Sequence, residues 1–310
     1  MKKTVLFAVM ISVVMMCLCG CSAGFVNGFA VSYDNADKYT AGDREITDKI
    51  DTLDIDWVSG KVTVSAGGST VKVKETTDAD LDDNLKVHTW ADGSTLHVRF
   101  CKSGERYSKS AEKTLEITVP AETVFEDIKV NTSSADIVCE GVAAKTAEMD
   151  SSSGKLTYNG NAGSFNADSS SGNISFSGIA SDIDADSSSG EVTIDQKGDA
   201  QSIDISTSSG EIEVDCEYTD TLKASSSSGD KDITLRKMPK EVSVSSSSGK
   251  LDITLPEDAG FTAEINTSSG DVSYDLPMSK TGDDTYTCGS GENKLSISAS
   301  SGDVRINKLG

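Results

Sequence analysis

One short phrase, a run of serine or threonine closed by glycine, recurs along most of the chain and limits the folds open to it. It ends at Gly60, Gly154, Gly172, Gly190, Gly210, Gly229, Gly249, Gly270 and Gly302, and one further copy carries Ala135 in the glycine place. From Ala135 to Gly270 successive copies lie 18 to 21 residues apart. A fixed period near twenty is the signature of stacked repeats, each too small to bury an apolar face alone.

Aligned on the glycine, four places are apolar: seven and five residues before it, two and four residues after it. The Gly190 copy supplies Ile183, Ala185, Val192 and Ile194, and across all ten copies Lys231 is the only polar occupant. The residues between are mostly polar. This is period-two alternation on both sides of a turn, so each repeat holds two strands with one buried face apiece. The expected fold is all-β, a single-stack β-solenoid (β-helix-like) with two short strands per rung of about 18 to 21 residues. The Ser-Ser-Gly phrase makes one edge and a variable loop the other. Glycine suits such a turn because it takes positive φ without Cβ strain, and the serines can satisfy backbone groups at the bend. Lys231 is expected in a bulge, with Ile233 and Leu235 turned inward. A six-residue left-handed helix is excluded by the apolar spacing, and the glycine-rich nonapeptide of calcium-binding β-rolls is absent.

Residues 49–125 read as an irregular N-terminal part of the same stack, with a hairpin turning at Ala91-Asp92-Gly93-Ser94. Residues 126–310 are the regular part. An insertion between Asp271 and Asn293 precedes a last rung expected to close the stack. Residues 21–48 are small, polar and weakly patterned, and read as a tether.

The first twenty residues have the pattern of an export signal: Lys2 and Lys3, then the apolar Thr4–Leu18. The following Leu18-Cys19-Gly20-Cys21 resembles the lipobox of bacterial lipoproteins. That resemblance implies cleavage after Gly20, a diacylglycerol on Cys21, and a body held at the cell membrane facing outside the cytoplasm. Four cysteines remain, Cys101, Cys139, Cys216 and Cys288. Rung spacing puts Cys139 and Cys216 too far apart to bridge, so free thiols are expected.

The formal net charge of −22 argues against nucleic acid as a partner, since phosphate backbones are held by basic surface. Asp150, Asp168 and Asp186 should stack on three successive rungs and are weak candidates for oxygen ligation of a cation such as Ca²⁺. No metal or other cofactor is otherwise expected. Outward serine and threonine rows offer regularly spaced hydroxyls to a glycan. His88 and His97, placed to face each other across the hairpin, lack a third ligand. Ser110-Ala111-Glu112-Lys113 and Lys280-Thr281-Gly282 match two motifs of penicillin-recognising serine enzymes, but no helical domain surrounds them.

The repeated phrase, Leu115-Glu-Ile-Thr-Val-Pro120 and the closing Gly289–Ile306 segment resemble a bacterial family of exported β-strand-repeat proteins of unknown function, labelled adhesins. The resemblance runs from about Ile46 to Leu309. It implies surface adhesion or envelope association and transfers no catalytic residue. The expected function is therefore a membrane-anchored, non-catalytic adhesion, interaction or spacer module, with an unknown protein or glycan partner. An alternative is a regulatory partner of an envelope-stress signalling system, acting through residues 85–100 or 278–290. A polysaccharide-active β-helix enzyme is the remaining option, disfavoured because Tyr158, Phe165, Phe176 and Tyr274 should face inward.

Overall fold

The computed structural model describes residues 29–107 and 112–310; strands predominate and the only helix among the described residues is the single 3-10 turn Ala36–Lys38. Two sheets face each other and are joined along one edge by the serine-glycine corners. The first sheet carries the strand that precedes each corner, the second the strand that follows it. Register follows the repeat: Phe165 pairs with Ile183 and Ala167 with Ala185 in the first sheet, Tyr158 with Phe176 in the second. Like side chains therefore stack rung upon rung, as in Tyr158 over Phe176 with their rings nearly parallel and 6.0 Å apart. Of the aligned apolar places, all but Val272 and Tyr274 are buried.

The edge opposite the glycines differs from expectation at several rungs. Asp136–Ser151, Leu156–Ser169, Val192–Thr207 and Ile212–Ser228 each run without a loop from the second sheet into the first. The passage is made by register shifts, between Glu140 and Ala143 and between Gln196 and Asp199. A bulge bends a strand while adding only one or two residues, which lets so short a repeat turn both corners.

Lys231 is not in a bulge. It pairs with Ile212 on one side and Leu251 on the other and is 1% exposed, within the apolar column. Its ammonium donates to the Gly229 carbonyl at 3.3 Å. Burial pulls its pKa down to about 8, with Asp230 acting in the opposite sense.

Both ends of the stack are built by intercalation. At the N-terminal end Lys113–Val119 lies between Lys61–Ala66, to which it is parallel, and Val71–Thr77, to which it is antiparallel. At the C-terminal end Asn293–Ser301 pairs with Glu241–Ser248 on one side and Phe261–Ser269 on the other. Val304–Lys308 is likewise held between Leu251–Leu255 and Val272–Tyr274. The last rung in sequence is thus the penultimate rung in space, and the 261–274 rung forms the tip. This corrects the expectation that the last rung closes the stack. It also explains why Val272 and Tyr274 are not buried: no rung covers them.

The tether expectation fails for residues 29–48. Thr40–Ala41 pairs with the hairpin strand His88–Asp92, Arg44–Ile46 pairs with Val71–Thr77, and Ile46 is buried. The Tyr33 hydroxyl donates to the Cys101 carbonyl at 2.8 Å. These residues cap the first rungs because they hold the few apolar and aromatic side chains of an otherwise polar stretch. The hairpin itself turns on Gly93 and Ser94, with Gly93 at φ 61°.

Candidate interaction surface

The serine-glycine corner is the most regular feature outside the core. Three residues before the glycine a hydroxyl leans inward and accepts the glycine N–H: Ser151 from Gly154 at 2.8 Å, Ser169 from Gly172 at 2.8 Å, Ser187 from Gly190 at 2.9 Å, Thr207 from Gly210 at 3.0 Å. Those hydroxyls are committed to the turn and are buried. Glycine is needed at these corners for a reason other than positive φ. A Cβ on Gly190 would lie 2.0 Å from the Gly172 carbonyl oxygen one rung below. The expected left-handed backbone occurs instead at Gly60 and in the three rungs nearest the tip, where Gly249 has φ 126°.

One residue before each inward hydroxyl, Asp150, Asp168 and Asp186 stand directly above one another, as expected. Asp186 accepts a hydrogen bond from the Ser206 hydroxyl. Burial raises the Asp150 pKa, helped by Glu148 and opposed by Lys129. Burial also raises that of Asp168, and the flanking Asp150 and Asp186 add to the rise. The row is a ladder of mutual repulsion. Among the described residues, no group of three or more His, Cys, Asp or Glu side chains is arranged to hold a metal ion.

The ladder gives a stability prediction. A carboxyl whose folded pKa is raised opposes folding above that pKa and ceases to do so as pH falls through it towards 3.8. Asp168→Asn should therefore raise stability at pH 7 by a few tenths of a kcal/mol to about 1 kcal/mol, the scale of cross-strand pairs. The gain should vanish near pH 3.5. Thermal unfolding at the two pH values reads it; a less stable variant at pH 7 would mean that the carboxylate is held by something favourable.

A second cluster lies on the outer face of the first sheet at the N-terminal end. Asp54 and Asp56 stand two apart on Thr52–Trp57, opposite His97 and Arg99 on Thr95–Arg99. Asp54 accepts from Arg99 at 2.6 Å and lies 2.6 Å from His97 Nδ1, and the Arg99 Nε lies 3.1 Å from Asp56. Burial works against the Asp54 charge, yet hydrogen bonds and charge from Arg99 and His97 hold its pKa below the usual carboxylate range. Trp90 stacks on His97 at 5.0 Å and Lys38 covers the Trp90 ring at 4.6 Å. With its neighbours so placed, this aromatic group secures the cap and offers little ring face to a sugar.

Deeper at the same end, Lys113 is fully buried and paired with Glu75 at 2.5 Å. It also donates to the carbonyls of Leu85, at 2.7 Å, and Phe100, and lies 4.0 Å from the Phe100 ring centroid. Glu75 accepts the Val87 N–H at 3.0 Å through its other oxygen. The alternating Asp54/Asp56 and His97/Arg99 were legible as outward positions of two strands. Nothing local marked Lys113 or Glu75 as partners.

The remaining sequence candidates resolve simply. Cys101, Cys139, Cys216 and Cys288 are free and buried, and burial raises all four thiol pKa values, those of Cys139 and Cys216 to about 12. His97 is paired across the hairpin with Trp90 and His88 with Arg99, so the histidines do not face each other. Ser110 and the whole of residues 1–28, Cys21 among them, lie outside the described residues. Lys113 belongs to the N-terminal end and Lys280 to the tip, so the two serine-enzyme motifs are not brought together.

These features define a class: a parallel two-sheet β-solenoid with serine-glycine corners, a capped N-terminal end and polar, ladder-bearing outer faces. The chain belongs to the Toastrack DUF4097 family, whose profile matches residues 50–307. No curated protein matches the sequence. Similar solved structures include a candidate adhesin from Bacteroides fragilis NCTC 9343, at 14% identity over 86% of this chain and 96% of that one, TM-score 0.40. A candidate adhesin from Parabacteroides distasonis ATCC 8503 is similar at 12% identity over 91% and 100%, TM-score 0.40. A candidate lipid-binding protein from the same strain is similar at 15% over 87% and 97%, TM-score 0.38.

Proposed function

We propose that the chain is a non-catalytic surface lipoprotein, anchored through Cys21 outside the cytoplasm, whose solenoid is both spacer and interaction module. The observation that carries this reading is the position of the two chain ends along the stack. Residues 29–48 fold onto the first rungs, so only residues 22–28 connect Cys21 to the body. Fully extended they reach about 25 Å. The tip, formed by the 261–274 rung and Thr285–Cys288, is at the opposite end, about 50 Å away at roughly 4.8 Å per strand. The solenoid therefore holds one end near the bilayer and presents the other to the surroundings.

The acidic surface disfavours anionic partners. Changing Cys21 to Ala should move the protein from the membrane fraction to the soluble fraction. Retention of the variant in the membrane fraction would overturn the lipid anchor. Loss of cell attachment on deletion of the gene, with restoration by the wild-type chain, is the expected result for the adhesive role.

A further inference from the structure

We infer that the tip of the second sheet is a docking edge for an extended peptide segment in which apolar and basic residues alternate, supplied by another protein. The inference rests on the proposed role as an interaction module and names where on the module the partner binds.

The tip strand Val272–Tyr274 pairs with Val304–Lys308 and, among the described residues, with no other strand. The neighbouring half of the tip is closed, because Thr285–Cys288 pairs antiparallel with Phe261–Ser269. The two halves of the end therefore differ: one sheet is covered, the other stops at an open edge. The Asp271 carbonyl accepts from Val304 N–H at 2.9 Å and the Asp275 N–H donates to Ile306 at 3.0 Å. Odd-numbered backbone groups thus point into the stack. By the alternation of a parallel ladder, the N–H and C=O of Val272 and Tyr274 point away from it. An incoming strand finds those groups waiting, which is the condition for adding a strand to a sheet edge.

The side chains say what kind of strand. Val272 and Tyr274 occupy core columns that are buried in every other rung, yet Tyr274 is 40% exposed. An added strand with apolar residues at alternate positions would continue both columns and cover them. Between and beside them, on the outward face, stand Asp271, Ser273 and Asp275, the two aspartates exposed. The outward positions of the added strand therefore favour Lys or Arg. The same charges disfavour a second copy of this chain, since antiparallel pairing of two such edges would set Asp271 of one near Asp275 of the other, on top of a net charge of −22 on each.

The test uses the purified full chain in detergent micelles and a fluorescein-labelled Lys-Val-Lys-Val-Lys-Val-Lys peptide. The control is a Lys-Lys-Lys-Lys-Val-Val-Val peptide, which has the same charge without alternation. Fluorescence anisotropy should show the alternating peptide binding wild type at least tenfold more tightly than Tyr274→Pro. That variant removes an outward N–H and no ladder bond. The block peptide should not distinguish the two proteins. If Tyr274→Pro unfolds at lower temperature than wild type, Tyr274→Lys serves instead: it keeps the backbone and places a charge under the incoming strand. Equal binding of the alternating peptide by wild type and a folded variant would overturn the inference and assign the binding to net charge alone. A concentration-dependent dimer abolished by Tyr274→Lys would also overturn it, by giving the edge to a second copy. Cys21→Ala should leave peptide binding unchanged, so failure of the lipid anchor and failure of the docking edge are read separately.

Discussion

Gly190→Ala should destabilise the solenoid by more than about 4 kcal/mol, beyond the roughly 1–3 kcal/mol of ordinary overpacking. The new methyl carbon would sit 2.0 Å from the Gly172 carbonyl oxygen and 2.9 Å from the Asn173 nitrogen. Both are backbone atoms of the adjacent rung, locked in the ladder on either side. No rotamer change relieves the contact; the rungs must separate locally, and the Ser187 hydroxyl loses its bond to the Gly190 N–H. Gly42→Ala is the contrast. Gly42 has φ 92° but nothing within 4 Å of a built Cβ, so only the left-handed penalty of about 1–2 kcal/mol applies. Chemical denaturation of the two variants should rank them in that order. A loss below 1 kcal/mol at Gly190 would show that the rungs stack less closely than the structure has them.

Two buried lysines should respond in opposite directions to the same substitution. Lys113→Met removes a cation from Glu75 and leaves a carboxylate enclosed by protein, which costs about 3–5 kcal/mol. Restoring neutrality with Glu75→Gln in that background should recover part of the loss, since Gln retains an acceptor for Val87 N–H. Lys231→Met, by contrast, removes a charge that, among the described residues, donates to one carbonyl and no carboxylate. A pKa of about 8 against the ordinary 10.5 corresponds to a penalty on the order of 3 kcal/mol. The variant should be more stable than wild type by up to that amount. The sign with pH follows from the lowered folded pKa. The penalty is complete below about pH 8 and fades as pH rises towards 10.5, so the gain from Lys231→Met should shrink over that interval. Unfolding midpoints at pH 7 and pH 9.5 test it. A destabilised Lys231→Met would mean that the ammonium is solvated or paired in solution.

The core is readable from the sequence because a repeat states its own alignment: of forty aligned places in ten copies only that of Lys231 breaks the apolar rule, and only two at the tip escape burial. What the repeat cannot state is which rung lies beside which. The 241–255, 261–274 and 293–308 segments carry the same apolar pattern, so each fits against either of the others, and sequence order is the natural expectation. Intercalation is decided by the connecting segments and by the antiparallel cover of Thr285–Cys288, which the repeat does not encode. Lys231 departs from the bulge expectation for a related reason: the pattern alone sets charge against an inward column, whereas a long side chain can enter one and reach a corner carbonyl. The cap formed by residues 29–48 leaves no local signal in the sequence, because its pairing partners are far off along the chain. Its strands are also only two or three residues long, too short for alternation to register.

The buried position of the final rung has a consequence for the order of assembly. Every earlier rung in the regular part can dock as soon as it follows its predecessor, so the stack can grow outward from its N-terminal end. The tip cannot. Residues 261–274 wait for residues 293–308, because their sheet partners are made last. A chain ended between Tyr274 and Asn293 loses more than the residues removed: the 241–255 rung is left with an unpaired edge, and the tip with nothing to stand on. A tag fused to Gly310 would emerge not from the tip but one rung beneath it, beside Leu255, whose carbonyl accepts the Leu309 N–H.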